Sequence, residues 1–184
     1  MKDILKNNYT KNTRTMKHSF IREMLKVTKG VKGMISFAGG MPSPVSFPQK
    51  ELAELFHEVV IKEGSDVLQY GESGGDPVFL EILKNYMNVN FVQAEEMMIT
   101  VGSTNALYLY ALSFIEEDDT IICESPSFPG SLVAFEACGA NMFGVDMDEN
   151  GMRPDSLNDT IEHLREKGKT IKFIYIIPEF QNPS

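Results

Sequence analysis

Between residues 49 and 86 the apolar positions recur at helical spacing; beyond residue 96 they gather into short continuous runs separated by amphipathic stretches. Leu52, Leu55, Phe56, Val59 and Val60 occupy the i, i+3, i+4, i+7 and i+8 positions of one helix face. Asp76 then reads as an N-cap with Pro77 at the first helical position, and Phe79, Ile82, Leu83 and Tyr86 form a stripe expected to be buried. From there strands and helices alternate. "MMITV" (97–101), "TIICE" (120–124), "NMFGVDM" (141–147) and "IKFIYIIP" (171–178) read as strands, and 103–115, 130–138 and 155–167 as helices. Continuous apolar strands separated by helices predict an α/β fold, with a mostly parallel sheet covered on both faces.

Upstream the pattern is less regular. Residues 1–15 are polar and read as an arm without structure of its own. "HSFIREMLKVTKG" places Phe20, Ile21, Met24 and Leu25 at helical spacing, with Gly30 or Gly33 to stop the helix. "MISFAGGMPSPVSFP" (34–48) reads as a short strand followed by a loop more rigid and apolar than a plain connection needs.

Composition narrows the classes of function. A net charge of −9 over 184 residues argues against a nucleic-acid partner, which would require a basic face. Cys123 and Cys138 are too few for a disulfide framework and lack metal-ligand spacing, so both read as small core residues in a reducing compartment. No apolar run reaches the length of a membrane span, and "MKDILKNNYTKNTR" lacks the apolar region of a secretory signal. The expected location is the cytoplasm. His18, His57 and His163 form no cluster that would hold a metal.

Ligands of such sheets bind at the carboxyl ends of the strands. Three stretches lie there: "VGSTNA", "ESPSFPG" and "PEFQNPS". Gly102 sits at a tight turn, with Ser103 and Thr104 at the mouth of the next helix, where free N–H groups and two hydroxyls suit a phosphate. Taken alone, Ser103 also reads as an ordinary N-cap. The spacing matches neither a P-loop nor a dinucleotide fingerprint. Phe128, bracketed by Pro126 and Pro129, is placed to stack on a flat heterocycle or to fill core. Asn182 offers an amide donor on a turn fixed by Pro183, although Asn before Pro also simply initiates turns.

A phosphate site, a stacking ring and an amide donor on consecutive strand ends resemble the N-terminal half of a fold-type I, pyridoxal-phosphate-dependent aminotransferase of class I/II. The resemblance runs from about Ser19 to Ser184 and is nearest to the 2-aminoadipate and MocR-like branch. "SFIREMLKVT", "ISFAGGMPSPVSFP", "LQYGESGGDPVFLEIL", "ITVGSTNALYL", "ESPSFPG" and "YIIPEFQNPS" carry it. It implies that residues 1–48 are an arm and small-domain segment, and 49–184 the first part of a cofactor-binding large domain. Ser103 and Thr104 would hold the phosphate of pyridoxal 5'-phosphate, Phe128 would lie against its ring, and Asn182 would donate to its phenolic oxygen. Tyr70 would reach the cofactor phosphate of the neighbouring subunit of a homodimer; its other reading is a tyrosine packed under a turn. Gly40 would bring its backbone close to the substrate α-carboxylate. Arg22 would pair with a distal carboxylate of an acidic substrate, or be a solvated arginine on an amphipathic helix. The implied substrates are an amino acid and a 2-oxo acid in a ping-pong reaction, with the donor left open among aromatic, branched-chain, aminoadipate and glutamate types.

Such enzymes continue past this loop with further strands, an Asp and a Tyr at the cofactor, a Ser-x-x-Lys for the Schiff base and an Arg for the α-carboxylate. None has a matching position here; Lys167, Lys169 and Lys172 fall at a helix end or strand start. No catalytic residue is therefore assigned within the chain. It reads as the front of a longer enzyme, truncated within its large domain, with an unpaired sheet edge and exposed core. Alone it would bind cofactor weakly and not transaminate. Competing readings are a cofactor-sensing module of a transcriptional regulator, a non-catalytic remnant, and an unrelated doubly wound nucleotide-binding enzyme.

Overall fold

The structure, a computed structural model, describes residues 8–15, 23, 26–27, 31–35, 41–90 and 96–184. In chain order its first elements are helix α1 (Lys11–Thr15), a 3-10 turn (Pro44–Ser46), and helices α2 (Gln49–Glu63), α3 (Ser65–Leu68) and α4 (Pro77–Asn90). Helix α5 (Gly102–Phe114), strand β1 (Thr120–Ser125) and helix α6 (Pro129–Ala137) follow. The chain ends with β2 (Asn141–Asp148), β3 (Gly151–Met152), α7 (Pro154–Glu166) and β4 (Ile171–Tyr175). Two compact units result: Met1–Met16 with Thr100–Ser184, and Lys17–Ile99.

In the first unit the most apolar run becomes the centre of the sheet. β1 pairs in parallel with β2 on one side and β4 on the other, and β3 adds a short antiparallel rung to the end of β2, giving the order β3-β2-β1-β4. Successive residues of β1 face opposite ways. Ile121 and Cys123 pack with Ala111 and Ile115 at the end of α5 and with Phe135 of α6. Ile122 faces the other way, onto Val145 and Leu164 of α7. The α/β fold with a mostly parallel sheet is thus as its sequence predicts, and most helix and strand limits agree within a residue or two; helices cover both faces at β1, but at the edge strand β4 Ile174, beside Ile122, is exposed. The last strand is shorter than expected. It stops at Tyr175 because the next N–H groups turn away, that of Ile177 donating to a Glu124 carboxylate oxygen at 3.0 Å.

Burial on this first face pushes the Cys123 thiol from its ordinary 9.0 up to about 11. At pH 8 only about one such thiol in a thousand is ionised, so in native protein Cys123 resists alkylation and labels only on unfolding. Its raised value also withdraws stability as pH rises from 9.0 toward about 11, because the unfolded thiol ionises first. Mass mapping of labelled cysteines before and after urea checks the expectation; rapid native labelling of Cys123 would contradict it.

Several expectations are corrected. Residues 97–100 form no strand: a strand exists only through pairing, and this segment joins no ladder among the described residues. Instead the Ile99 N–H donates to the Gly74 carbonyl at 2.7 Å. Met34 and Ile35 are likewise not in a strand, Met34 closing a turn onto the Val31 carbonyl; 36–40 lie outside the described residues. Part of the supposed arm is helical, as α1, whose Lys11 pairs with Glu117 and which packs against α6. In the second unit α4 begins as its capping signals predict, Asp76 Oδ1 accepting the Phe79 N–H at 2.7 Å. Its stripe is not buried, however. Phe79, Ile82 and Tyr86 are exposed and Leu83 half-buried, and on α2 Leu52, Leu55, Phe56 and Val59 are exposed. Periodicity dictates which face is apolar; only a facing element buries it. Of the upstream helix, Glu23, Lys26 and Val27 are described and helical. No helix among the described residues is long and apolar enough to cross a membrane.

Candidate functional site

α5 precedes β1 and packs on it through Ala111 and Ile115, and Thr104 in its first turn borders Gly130 at the start of α6, the helix that follows the carboxyl end of β1. Gly102 opens this turn at φ 77°, in the left-handed region where a residue with a Cβ is strained. Ser103 is therefore not the N-cap. The helix starts one residue earlier, the cap position is Val101, and no side chain caps the first turn. The Val101 N–H donates to Asn105 Oδ1 at 3.2 Å, and Thr100 Oγ1 donates to the Gly102 carbonyl at 3.1 Å. Ser103 and Thr104 are exposed, beside uncapped N–H groups at the positive end of a 13-residue helix. Thr104 shares a hollow of about 530 Å³ with Tyr108 and with Gly130 at the start of α6.

The loop after β1 carries Phe128, half-buried, immediately before α6. Its ring lies over Gly130, where a Cβ would come within 2.5 Å of Phe128 Cε1. Glycine at 130 thus lets the ring pack closely on the helix start. Beside it Ser127 Oγ is buried without a hydrogen-bond partner among the described residues. Ser131 Oγ and the Tyr175 hydroxyl meet at 2.6 Å, tying α6 to the end of β4.

The segment after β4 folds back on the same loop. Gln181 Nε2 donates to the Pro126 carbonyl at 2.9 Å and to Glu124 Oε2 at 3.3 Å, and Gln181 Oε1 accepts from Ser184 N at 3.0 Å and Ser184 Oγ at 2.7 Å. Asn182, the next residue, is exposed. The Ser125–Pro126 and Asn182–Pro183 bonds, both cis, belong to these two facing loops. Ser103, Thr104, Phe128 and Asn182 are thus gathered at the carboxyl edge of one sheet. The lysine at the start of β4 is at the opposite end, where Lys172 Nζ lies 3.1 Å from Asp119. The Glu116 N–H, and then Lys172, hold the Asp119 carboxyl below its ordinary range.

Tyr70 belongs to the second unit. It is 99% exposed and its N–H donates to Gln69 Oε1 at 2.9 Å, so it is not packed under a turn. Arg22 and Gly40 lie outside the described residues. Sequence reasoning missed Glu124 and Gln181. A signal existed for the first: a carboxylate closing the run "TIICE", only 5% exposed, must be satisfied by donors from elsewhere.

Comparison with known proteins shows the family of the chain. Residues 32–183 match the family model for aminotransferase class I and II. The chain is 35% identical to aromatic-amino-acid aminotransferase 1 of Thermococcus litoralis over 92% of its own length and 41% of that protein. It is 35% identical to the 2-aminoadipate transaminase of Thermus thermophilus over 90% of its length and 40% of that protein. The chain therefore spans about two-fifths of the length of these curated relatives. Among solved structures, the kynurenine aminotransferase of Pyrococcus horikoshii, in complex with PMP, superposes with a TM-score of 0.89 at 30% identity. That superposition covers 98% of this chain and 45% of the other. The α-aminoadipate aminotransferase of Thermus thermophilus, complexed with N-(5'-phosphopyridoxyl)-L-leucine, gives 0.82 at 32% identity, covering 98% and 43%. These matches exclude the unrelated nucleotide-binding enzyme. The chain belongs to the class I and II aminotransferase family.

Proposed function

We propose that the chain forms part of the cofactor site of a pyridoxal-phosphate-dependent aminotransferase that moves an amino group between an amino acid and a 2-oxo acid. The observation that carries this reading is the first turn of α5: an uncapped helix start, opened by Gly102 at φ 77° and bearing two exposed hydroxyls. Its uncapped N–H groups and partial positive charge match a phosphate dianion. Phe128, laid over Gly130, offers a flat apolar surface to a pyridine ring, and Asn182 an amide donor to a phenolic oxygen. Bound pyridoxal phosphate supplies an electron sink that loosens bonds at the amino-acid α-carbon. The chain's own residues hold and orient: Ser103 and Thr104 the phosphate, Phe128 one ring face, Asn182 the ring oxygen.

The remaining assignments belong to the same proposal. Tyr70 serves the phosphate of a partner subunit in a homodimer, Gly40 lies by the α-carboxylate, and Arg22 pairs with a distal carboxylate. Residues 1–48 then form the arm and small-domain segment, and 49–184 the start of the large domain, in a cytoplasmic enzyme. The relatives described above are named for amino transfer, which favours this reading over the regulator.

Equilibrium dialysis of the 184-residue chain with pyridoxamine 5'-phosphate tests it, since that amine cannot condense with surface lysines. Retention is expected, competed by inorganic phosphate and weakened about tenfold to a hundredfold by Ser103→Ala with Thr104→Ala, each having lost a charge-assisted hydrogen bond. Turnover of an amino acid with a 2-oxo acid is expected to be absent for this chain alone. Retention that ignores both the substitutions and phosphate would sink the reading.

A further inference from the structure

Gln181 has two N–H donors and two acceptor lone pairs. All four are used. The donors go to Pro126 and Glu124, with Met147 Sδ also 3.6 Å away, and both lone pairs go to Ser184. Glu124 Oε2, at the buried end of β1, meanwhile also accepts the Ile177 N–H at 3.0 Å. One carboxylate at the centre of the sheet thus holds the segment after β4 at two points, Ile177 and Gln181.

What this arrangement encloses is Asn182. Its backbone lies in a ring closed between the Gln181 side chain and Ser184, while its own amide is exposed and has no hydrogen-bond partner among the described residues. The residue on the other side, Phe180, is 97% exposed and sits at φ 53°. A phenylalanine in the left-handed region is unfavourable and persists only where neighbouring contacts over-determine the backbone. Phe180 has no burial to do so, which leaves the Gln181 hydrogen bonds. A saturated side chain, a buried anchor and a strained neighbour converge on Asn182, whose own amide has no hydrogen-bond partner among the described residues.

We propose that Glu124 and Gln181 form a clamp that aims Asn182 at the cofactor ring, with Gln181 as a positioning residue and Glu124 as its anchor. The proposal rests on the cofactor reading given above. It requires that Gln181 affect the cofactor only through Asn182.

A double-mutant cycle on the 184-residue chain tests this, with pyridoxamine 5'-phosphate affinity and the absorbance band of the bound ring as readouts. Asn182→Ala and Gln181→Ala are each expected to weaken binding about tenfold and to shift the band alike, the loss of one ring hydrogen bond, and the double variant to be no worse than either. Glu124→Gln keeps an acceptor and is expected to stay within about threefold of the parent, while Glu124→Ala falls about tenfold. Inorganic phosphate affinity should not change in any of them. An unaltered band in Gln181→Ala, or losses that multiply in the double variant, would overturn the clamp. If Gln181→Ala fails to fold, Gln181→Asn, one methylene shorter, carries the same cycle. Amide exchange at Ser184 in cofactor-free protein separates the two levels. Faster exchange in Gln181→Ala with no cofactor retention by the parent chain would overturn the cofactor reading and the clamp's role together, leaving only a structural tie.

Discussion

Phe135→Ala is expected to lower the stability of the chain by roughly 3–5 kcal/mol, the usual cost of truncating a fully buried aromatic. Phe135 is 1% exposed and joins α6 to the sheet through two edge-to-face contacts, with Phe173 at 5.6 Å and Tyr175 at 5.2 Å between ring centroids. The loss therefore combines transfer of a large side chain with two aromatic pairs, each worth about 0.5–1.5 kcal/mol beyond burial. Since the whole stability of a domain is commonly about 5–15 kcal/mol, one substitution removes a large share of it. Urea melts followed by circular dichroism measure it through the midpoint. A shift equivalent to less than about 1 kcal/mol would mean that the α6 face repacks freely.

Ser103→Asp is expected to separate binding from folding by acting on them with opposite signs. An acidic residue in the first turn of α5 favours the helix dipole, so stability should hold or rise by about 0.3–1 kcal/mol. The same charge faces the incoming phosphate. A unit charge about 5 Å from a phosphate dianion at an effective dielectric of about 20 is repelled by roughly 6 kcal/mol before screening; at this exposed turn about half of that is expected to remain, a loss of about a hundredfold in cofactor affinity. Dialysis against pyridoxamine 5'-phosphate beside a thermal melt reads both. Unchanged affinity with an unchanged melt would place the phosphate elsewhere. A parallel loss of both would mean that Ser103 is structural.

The sheet and its helices were legible because each is specified locally. "TIICE" and the "IKFIY" of "IKFIYIIP" are apolar enough to form strands, the first of them buried, and the Asp76-Pro77 signal starts α4 where the structure starts it. "MMITV" carries the same local signal and forms no strand, since pairing depends on a neighbour that the segment cannot encode. The exposed stripes of α2 and α4 fail for the same reason. Of the proposed site, Phe128 and Asn182 follow strands that the sequence marks, whereas Ser103 and Thr104 follow a segment that forms no strand and are marked by Gly102 and the helix start alone. Glu124 and Gln181, 57 residues apart in sequence, could not be found, because their meaning lies in the contact between them.

The pairing register of β1 also sets an order of assembly. Its near partner, β2, begins about twenty residues after it, whereas its other partner, β4, lies about fifty residues on. Ring closure over the shorter span is favoured and its contacts are the more local, so β1, α6 and β2 can form a nascent core first. β4 docks later, and only then does Gln181 reach Glu124. In pulsed amide exchange during refolding, protection should reach the β1–β2 ladder before β4 and the Ser184 amide. Of the proposed cofactor site, the part that β4 carries is thereby the last to come into being, and a chain caught midway would have its hydrophobic centre before that part of the site.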